Sequence, residues 1–209
     1  MVEVRRRSLE TTTAQGPAWV HLTEAEDAVG SLLLTHGAGG GIGAKDLMAI
    51  ADLLPRHGWT VALVEMPWKV AGKKVAPMPP KLDAAWREIV PALDLPGRLV
   101  MGGRSAGARV ACRLAGELGA DGVLCLSFPL VPPGKGPEKS RIGELLTPLE
   151  HDLRVHVVQG AKDPFGRPDD VRAALGGADV RVDEAPGTHS FTDGPAVADL
   201  VLAHLVIEV

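Results

Sequence analysis

The chain has 209 residues, 45% of them hydrophobic, which is enough for one domain with a substantial core. Its formal net charge is −4 and its acidic and basic residues are interspersed, so composition gives no electrostatic case for binding nucleic acid or an anionic membrane. The arginines at positions 5–7 precede no apolar run, and no stretch approaches the roughly 18 apolar residues of a membrane-spanning helix, so neither a signal peptide nor a membrane anchor is expected.

The predicted elements alternate along the chain after a distinct N-terminal segment. Residues 1–29 alternate polar and apolar side chains, as in 18–22, and predict one or two antiparallel edge strands. Residues 30–209 predict the catalytic core of the same single domain. Short apolar runs predict strands at 31–35, 60–64, 98–101, 122–128, 154–159 and 179–183. The segments between them predict helices at 44–54, 84–93, 106–118, 141–149, 169–175 and 195–205.

These strands are almost continuously apolar, which is typical of strands buried on both faces of a parallel sheet. Their alternation with helices predicts an α/β fold, a doubly wound and mostly parallel sheet covered by helices on both faces. In open sheets of this kind functional groups gather at the carboxyl ends of the strands. The search for a site therefore concentrates on the residues that follow each strand.

A glycine-rich loop at 37–43 follows the first apolar strand. In an acyl-transfer enzyme it supplies a backbone N–H, here that of Ala38, to an oxyanion hole, while His36 shapes the loop. The same residues also match the G-x-x-x-G-x-G loop of NAD(P)-dependent short-chain dehydrogenases. In that interpretation Glu65, at the end of the next strand, is the ribose-binding carboxylate. Those enzymes use a tyrosine–lysine pair and this chain has no tyrosine, so the dehydrogenase is a remote alternative.

The sequence Gly103-Arg104-Ser105-Ala106-Gly107 matches G-x-S-x-G. In a chain with 25 glycines the string alone means little, but here it lies between a predicted strand and a predicted helix. A nucleophilic serine needs such a tight turn, and the flanking glycines avoid the clash that a Cβ would cause. We therefore predict Ser105 as a nucleophile and the Ala106 N–H as the second oxyanion donor. The alternative is a serine that only caps the helix.

A serine nucleophile needs a histidine to take its proton and a carboxylate to orient that histidine. After Ser105 the expected order is acid and then histidine. Asp163 directly follows the strand at 154–159, whereas Asp169 and Asp170 are better explained as caps of the next helix. Of the seven histidines, His189 follows the last predicted strand and is the predicted base.

No cofactor or metal is expected. A triad requires none, and the cysteines, Cys112 and Cys125, lack the spacing of a metal site. Both lie in apolar segments and are interpreted as reduced core thiols, which makes a cytoplasmic protein the default expectation.

With these motifs the chain, from about Ser31 to its end, resembles the α/β-hydrolase superfamily, and its compact size resembles the lid-less dienelactone-hydrolase-like esterases. The segments 128–135 and 163–166 look like a small hydrolase family that includes a scaffolding subunit of a chromatin complex. Dienelactone hydrolases themselves use a cysteine nucleophile, so Ser105 does not carry over that specific activity. The resemblance implies hydrolase chemistry and leaves the substrate open.

Two loops, 66–80 and 128–140, are expected above the nucleophile. Trp68 and Phe128 are predicted to wall an apolar acyl pocket. Arg141, Lys69 or Lys73 is expected to contact a carboxylate of the substrate. The alternative for the two lysines is that they lie in a solvated loop and serve solubility. Arg104 either points into the pocket or pairs with a structural acid.

The sequence therefore predicts a serine hydrolase that acts on ester or thioester bonds of small acyl substrates. The alternative is a non-catalytic interaction module on the same fold.

Overall fold

The computed structural model describes residues 4–207, in which eight strands form one sheet. The strands are β1 (Arg5–Thr13), β2 (Gly16–Glu24), β3 (Gly30–Thr35), β4 (Trp59–Glu65), β5 (Arg98–Arg104), β6 (Gly122–Leu126), β7 (Arg154–Gly160) and β8 (Arg181–Ala185). The helices are α1 (Lys45–Leu53), α2 (Pro67–Val70), α3 (Pro79–Ile89), α4 (Ala106–Leu114), α5 (Ile142–Leu146), α6 (Pro168–Leu175) and α7 (Gly194–Ile207).

The strand order is β1-β2-β4-β3-β5-β6-β7-β8. β3 to β8 are parallel, whereas β2 pairs antiparallel with both β1 and β4. The predicted antiparallel strands before Gly30 are therefore confirmed, with β1 at the edge. This order differs from the 3-2-1-4-5-6 order of dinucleotide-binding domains, which argues against the dehydrogenase.

Alternate residues of the parallel strands face two separate apolar layers. On β3, Leu32 and Leu34 pack into one layer with α1 and α7, while Leu33 packs into the other with α3, α4 and α6. Because both faces are covered, the central strands β3, β4 and β6 are buried and mostly apolar. The predicted doubly wound α/β fold is confirmed.

Several boundaries differ from the prediction, and two of these differences have a clear local reason. The helix expected at 84–93 begins at Pro79, because prolines fit the first turn of a helix, where backbone N–H groups have no intrahelical partner. The strand expected at 122–128 ends at Leu126, since Ser127 takes a φ of 51° and turns the chain out of the sheet. Phe128 therefore follows the sheet rather than ending a strand.

Over the described residues, every helix is too short or too polar to cross a lipid bilayer.

Candidate active site

Ser105 occupies the tight turn between β5 and α4. Its φ of 50° and ψ of −103° lie outside the conformations that side-chain-bearing residues usually adopt. A Cβ on Gly103 would lie 2.3 Å from the Thr35 carbonyl oxygen, and one on Gly107 would lie 2.7 Å from it. Both glycines are therefore required, because β3 passes directly against the turn.

His189 lies in the loop after β8 and contacts the serine directly. Ser105 Oγ and His189 Nε2 are 2.9 Å apart, although 84 residues separate them in the chain. The His189 side chain is 25% exposed, so its ring is partly open to solvent. Of the seven histidines, this is the one that the fold brings to Ser105, as predicted.

Asp163 lies in the turn after β7 and is almost fully buried. Its carboxylate oxygens are 2.9 and 3.1 Å from His189 Nδ1. A carboxylate accepts a hydrogen bond, so Nδ1 carries the proton and Nε2 is free to accept the serine hydroxyl. The three predicted residues thus form one hydrogen-bonded chain from Asp163 to Ser105.

Two residues that the sequence did not single out hold this chain in place. The side-chain amide of Gln159 donates to Asp163 Oδ2 at 3.0 Å and also contacts the carbonyl oxygens of Phe128 and Gly166. Phe165 donates its N–H to Asp163 Oδ1 at 2.9 Å, and its ring lies 4.2 Å from the His189 ring. A glutamine after the apolar pair Val157-Val158, four residues before Asp163, was the available signal, because a buried amide must be hydrogen-bonded.

A protein-family model described as "Alpha/beta hydrolase domain" matches residues 28–195, which include all of this constellation. The chain belongs to this family. The comparison with curated proteins gives no match.

Solved structures with the same fold include lid-less hydrolases. An alpha-beta serine hydrolase homologue from Coxiella burnetii superposes on this hydrolase with a TM-score of 0.76 at 13% identity, covering 95% of this chain and 97% of the other. An a/b serine hydrolase without lid from Xanthomonas campestris gives 0.72 at 17% identity, covering 98% and 94%. A dienelactone hydrolase from Anabaena variabilis gives 0.71 at 16% identity, covering 98% and 96%.

The glycine loop after β3 lies beside the serine turn. A Cβ on Gly37 would lie 3.4 Å from Ser105 Cβ. Ala38 follows in an exposed turn, and within residues 4–207 its N–H donates to no backbone or side-chain acceptor. Ala106 begins α4, so its N–H also has no partner inside the helix. Two backbone N–H groups without a partner among the described residues thus lie in the segments next to Ser105: Ala106 directly follows it, and Ala38 follows Gly37, which lies against it.

His36 fixes the start of this loop. Its Nδ1–H donates to the Gly37 carbonyl at 2.9 Å, and its Nε2 accepts the Met66 N–H at 3.2 Å. Both bonds require the neutral ring, and burial lowers the pKa of His36, which keeps it neutral. The ring of Trp68 contacts His36 edge-on, with centroids 5.0 Å apart. His36 thus shapes the glycine loop, as expected.

Arg104 makes its polar contacts with other residues of the protein. Its Nε lies 3.1 Å from Asp46 Oδ2, and its Nη2 donates to the His189 carbonyl at 2.8 Å and to Ser190 Oγ at 3.2 Å. Burial raises the pKa of Asp46 and the Arg104 charge opposes that rise. Of the two alternatives for Arg104, the structure shows pairing with a structural acid rather than substrate contact, and the side chain connects α1 to the His189 loop.

The other predicted substrate contacts lie in three different places: the core, a cleft and a loop. Phe128 is completely buried in the core, so its prediction as a pocket wall is wrong in this structure. Trp68 is 6% exposed and lines a cleft of about 280 Å³ beside α2 and α3. Arg141 is half-buried and donates to the Pro129 carbonyl at 3.0 Å, which holds the loop at 128–140.

The remaining candidates lie elsewhere. Asp170 accepts the Arg167 N–H at the start of α6, and Asp169 pairs with Arg172. Both therefore stabilise α6, as expected from their positions. Between residues 4 and 207 no group of three His, Cys, Asp or Glu side chains is arranged to hold a metal ion.

Proposed function

We propose that this protein is a serine hydrolase that cleaves ester or thioester bonds of small acyl substrates through Ser105, His189 and Asp163. The observation that carries the proposal is the unbroken hydrogen-bonded chain from Asp163 through His189 to Ser105. It ends on a serine held at a strained turn, which presents Oγ above the edge of the sheet. A serine that only capped a helix would need neither His189 nor Asp163 beside it.

The geometry suits acyl transfer in two steps. His189 Nε2 takes the Ser105 proton as Oγ attacks the carbonyl carbon, and the developing oxyanion is stabilised by the N–H groups of Ala38 and Ala106. Asp163 stabilises the imidazolium that results. His189 then protonates the leaving oxygen or sulfur, which leaves an acyl-enzyme. Water that loses a proton to His189 attacks the ester, and Ser105 leaves with that proton as the acid is released.

Esters and thioesters are the proposed bonds because the arrangement contains a nucleophile, a base and free oxyanion donors and requires no cofactor. Structural neighbours named as an esterase domain from Rhodothermus marinus and as dienelactone hydrolase support this class of reaction without naming the substrate. The cytoplasmic location stays a prediction.

Labelling with a fluorophosphonate probe tests the proposal. We expect stoichiometric modification at Ser105 in the wild type and none in Ser105→Ala, with matching loss of p-nitrophenyl ester hydrolysis. The circular dichroism of both proteins should agree. Folded wild-type protein that neither reacts with the probe nor hydrolyses any ester would instead support the non-catalytic interaction module.

A further inference from the structure

The lysines of this protein are confined to one edge of the sheet. The chain has eight: Lys45, Lys69, Lys73, Lys74, Lys81, Lys135, Lys139 and Lys162. Each lies in a loop, or in the first turn of a helix, that follows the carboxyl end of β3, β4, β6 or β7. Because carboxyl ends of parallel strands meet at one edge, all eight lie on the side of the sheet that carries Ser105. We refer to these eight residues as the lysine rim.

The lysine side chains are not used to hold the protein together. Seven are exposed and Lys69 is half-buried. Within the described part of the chain none of the eight forms a side-chain hydrogen bond or an ion pair. Arginines that follow the same strand ends behave differently: Arg104 pairs with Asp46, and Arg109 pairs with Glu144. The rim lysines are therefore positive charges without a direct ion-pair partner among the described residues.

The opposite edge contains no lysine within the described residues. The segments that lead into β3 to β8 (25–29, 54–58, 93–97, 115–121, 147–153 and 176–180) contain one arginine, Arg56, and Arg98, Arg154 and Arg181 begin β5, β7 and β8. The same segments carry eight carboxylates: Glu26, Asp27, Asp94, Glu117, Asp121, Glu150, Asp152 and Asp179. Lysine charge is thus confined to the end of the strands that carries the site, whereas arginines and carboxylates occur at both edges. Exposed ammonium groups attract anions to that end.

Several rim lysines lie on loops that contact the triad or its neighbours. A Cβ on Gly41 would lie 3.4 Å from Lys69 Cε, and the same glycine loop contacts Ser105 at Gly37. Lys162 directly precedes Asp163, and its N–H donates to the Gly187 carbonyl in the His189 loop. Lys73 and Lys81 line the cleft that Trp68 also lines. Positive charge therefore flanks the site on both sides along the sheet.

We propose that the lysine rim recognises a leaving group that carries phosphate, so that the substrates are acyl esters or thioesters of a phosphorylated carrier molecule. This inference rests on the proposed function of Ser105. Ammonium groups on flexible stems bind phosphate as point charges. Because the lysines extend over several loops, they match negative charges distributed along an extended leaving group better than a single carboxylate on a short acyl chain.

A matched pair of thioesters tests the inference. Butyryl-coenzyme A and the butyryl thioester of N-acetylcysteamine share the acyl group and the scissile bond, but only the first carries phosphates. We expect kcat/KM at low ionic strength to be at least about tenfold higher for the coenzyme A thioester, and this ratio to fall as salt is added. The triple variant Lys69→Gln, Lys73→Gln, Lys135→Gln should lower kcat/KM for this thioester about tenfold and leave the neutral thioester unchanged.

The controls separate this inference from the proposed function. Arg56→Gln removes one exposed positive charge from the opposite edge and should change neither kcat/KM, whereas Lys73→Gln should lower only that of the phosphorylated substrate. Equal kcat/KM values for the two thioesters, or equal effects of the triple variant on both, would overturn the inference while Ser105 labelling and neutral-ester hydrolysis still support the hydrolase. Absence of labelling and of all hydrolysis in the wild type would overturn both.

Discussion

At the scale of single residues, the site depends on three side chains that the chain brings together from separate strands. Each follows a different strand, β5, β7 or β8, and the observed spacing between their polar atoms is about that of good hydrogen bonds. Asp163 has the most constrained position, since it is buried and receives hydrogen bonds from Gln159 and Phe165 as well as contacting His189. The proposed role of Asp163 in catalysis can be tested separately from its role in the fold.

Asp163→Asn should lower kcat for ester hydrolysis by about 10⁴-fold, because an amide no longer fixes the histidine tautomer that accepts the serine proton. The asparagine oxygen can still accept the Phe165 N–H, so circular dichroism and the unfolding transition should indicate an intact fold. Steady-state hydrolysis of a p-nitrophenyl ester measures the effect.

The matched control is Asp169→Asn, which removes an exposed carboxylate that pairs with Arg172 on α6. It should leave kcat unchanged. If Asp163→Asn kept full activity, the acid would have to be sought at Asp169 or Asp170.

At the scale of elements, the serine turn depends on how closely β5 and α4 approach β3. Thr35 ends β3, and its backbone lies where side chains on Gly103 and Gly107 would project. Gly103 also has a φ of +152°, which side-chain-bearing residues rarely adopt. The glycines therefore contribute to the packing of three elements as well as to the turn.

Gly103→Ala and Gly107→Ala should each lower the free energy of unfolding by about 1–3 kcal/mol, because the added methyl group overlaps the Thr35 backbone. Urea denaturation measures the loss. Gly43→Ala is the control, since a Cβ there meets no atom within 4 Å. A variant at Gly103 as stable as the wild type would show that β3 can move away from the turn.

A cluster of ionisable side chains lies where β7 pairs with β8, the last strand of the sheet. His156 Nε2 on β7 lies 2.9 Å from Asp183 Oδ2 on β8, and the His156 ring centroid is 4.3 Å from that of His204 on α7. Burial, assisted by the nearby His204, lowers the pKa of His156 to about 4, against the rise favoured by Asp183. Arg181 adds a positive charge to the same cluster.

The unfolded chain therefore binds a proton at this position below about pH 6.5, whereas the folded protein does so only near pH 4. Stability should fall as pH is lowered through this window, by about 2 kcal/mol between pH 7 and 5 from His156 alone. Urea denaturation at pH 7, 6 and 5 should show this loss in the wild type and a smaller one in His156→Gln. His36, whose pKa is also lowered by burial, contributes to the loss of stability in both proteins. An equal loss in the wild type and in His156→Gln would contradict the assignment of the effect to His156.

At the scale of the whole molecule, two thiols are enclosed by the core. Cys112 on α4 and Cys125 on β6 are free and buried, with their sulfur atoms 3.4 Å apart. A hydrogen bond between them and burial raise the pKa of Cys125 well above its ordinary value. Because both sulfur atoms are buried, neither should react while the fold is intact.

Ellman's reagent should therefore find no rapidly reacting thiol in the native protein and two after denaturation in urea. The rate at which the native thiols become modified should follow global unfolding, since both lie within one apolar layer between the sheet and its helices, and that layer must open to expose them. A thiol that reacts within seconds under native conditions would contradict this burial.

The sequence by itself predicted most of the order of strands and helices along the chain, the serine turn and the two residues, Asp163 and His189, that the fold brings to it. Each of these depends on local patterns: apolar runs, the two glycines around Ser105, and polar residues directly after strands. These patterns can be interpreted without knowledge of contacts, because the carboxyl ends of parallel strands necessarily lie at the same edge of the sheet.

Only the tertiary structure decided which more distant side chains meet. Nothing in the spacing pairs Arg104 with Asp46 or brings Gln159 to Asp163, and Phe128 was expected at a pocket because its position after a strand says nothing about which way its ring packs. The lysines are scattered from Lys45 to Lys162 in the sequence, and it is the parallel sheet that collects them on one side. Long-range packing depends on the three-dimensional path of the chain, which local periodicity does not contain.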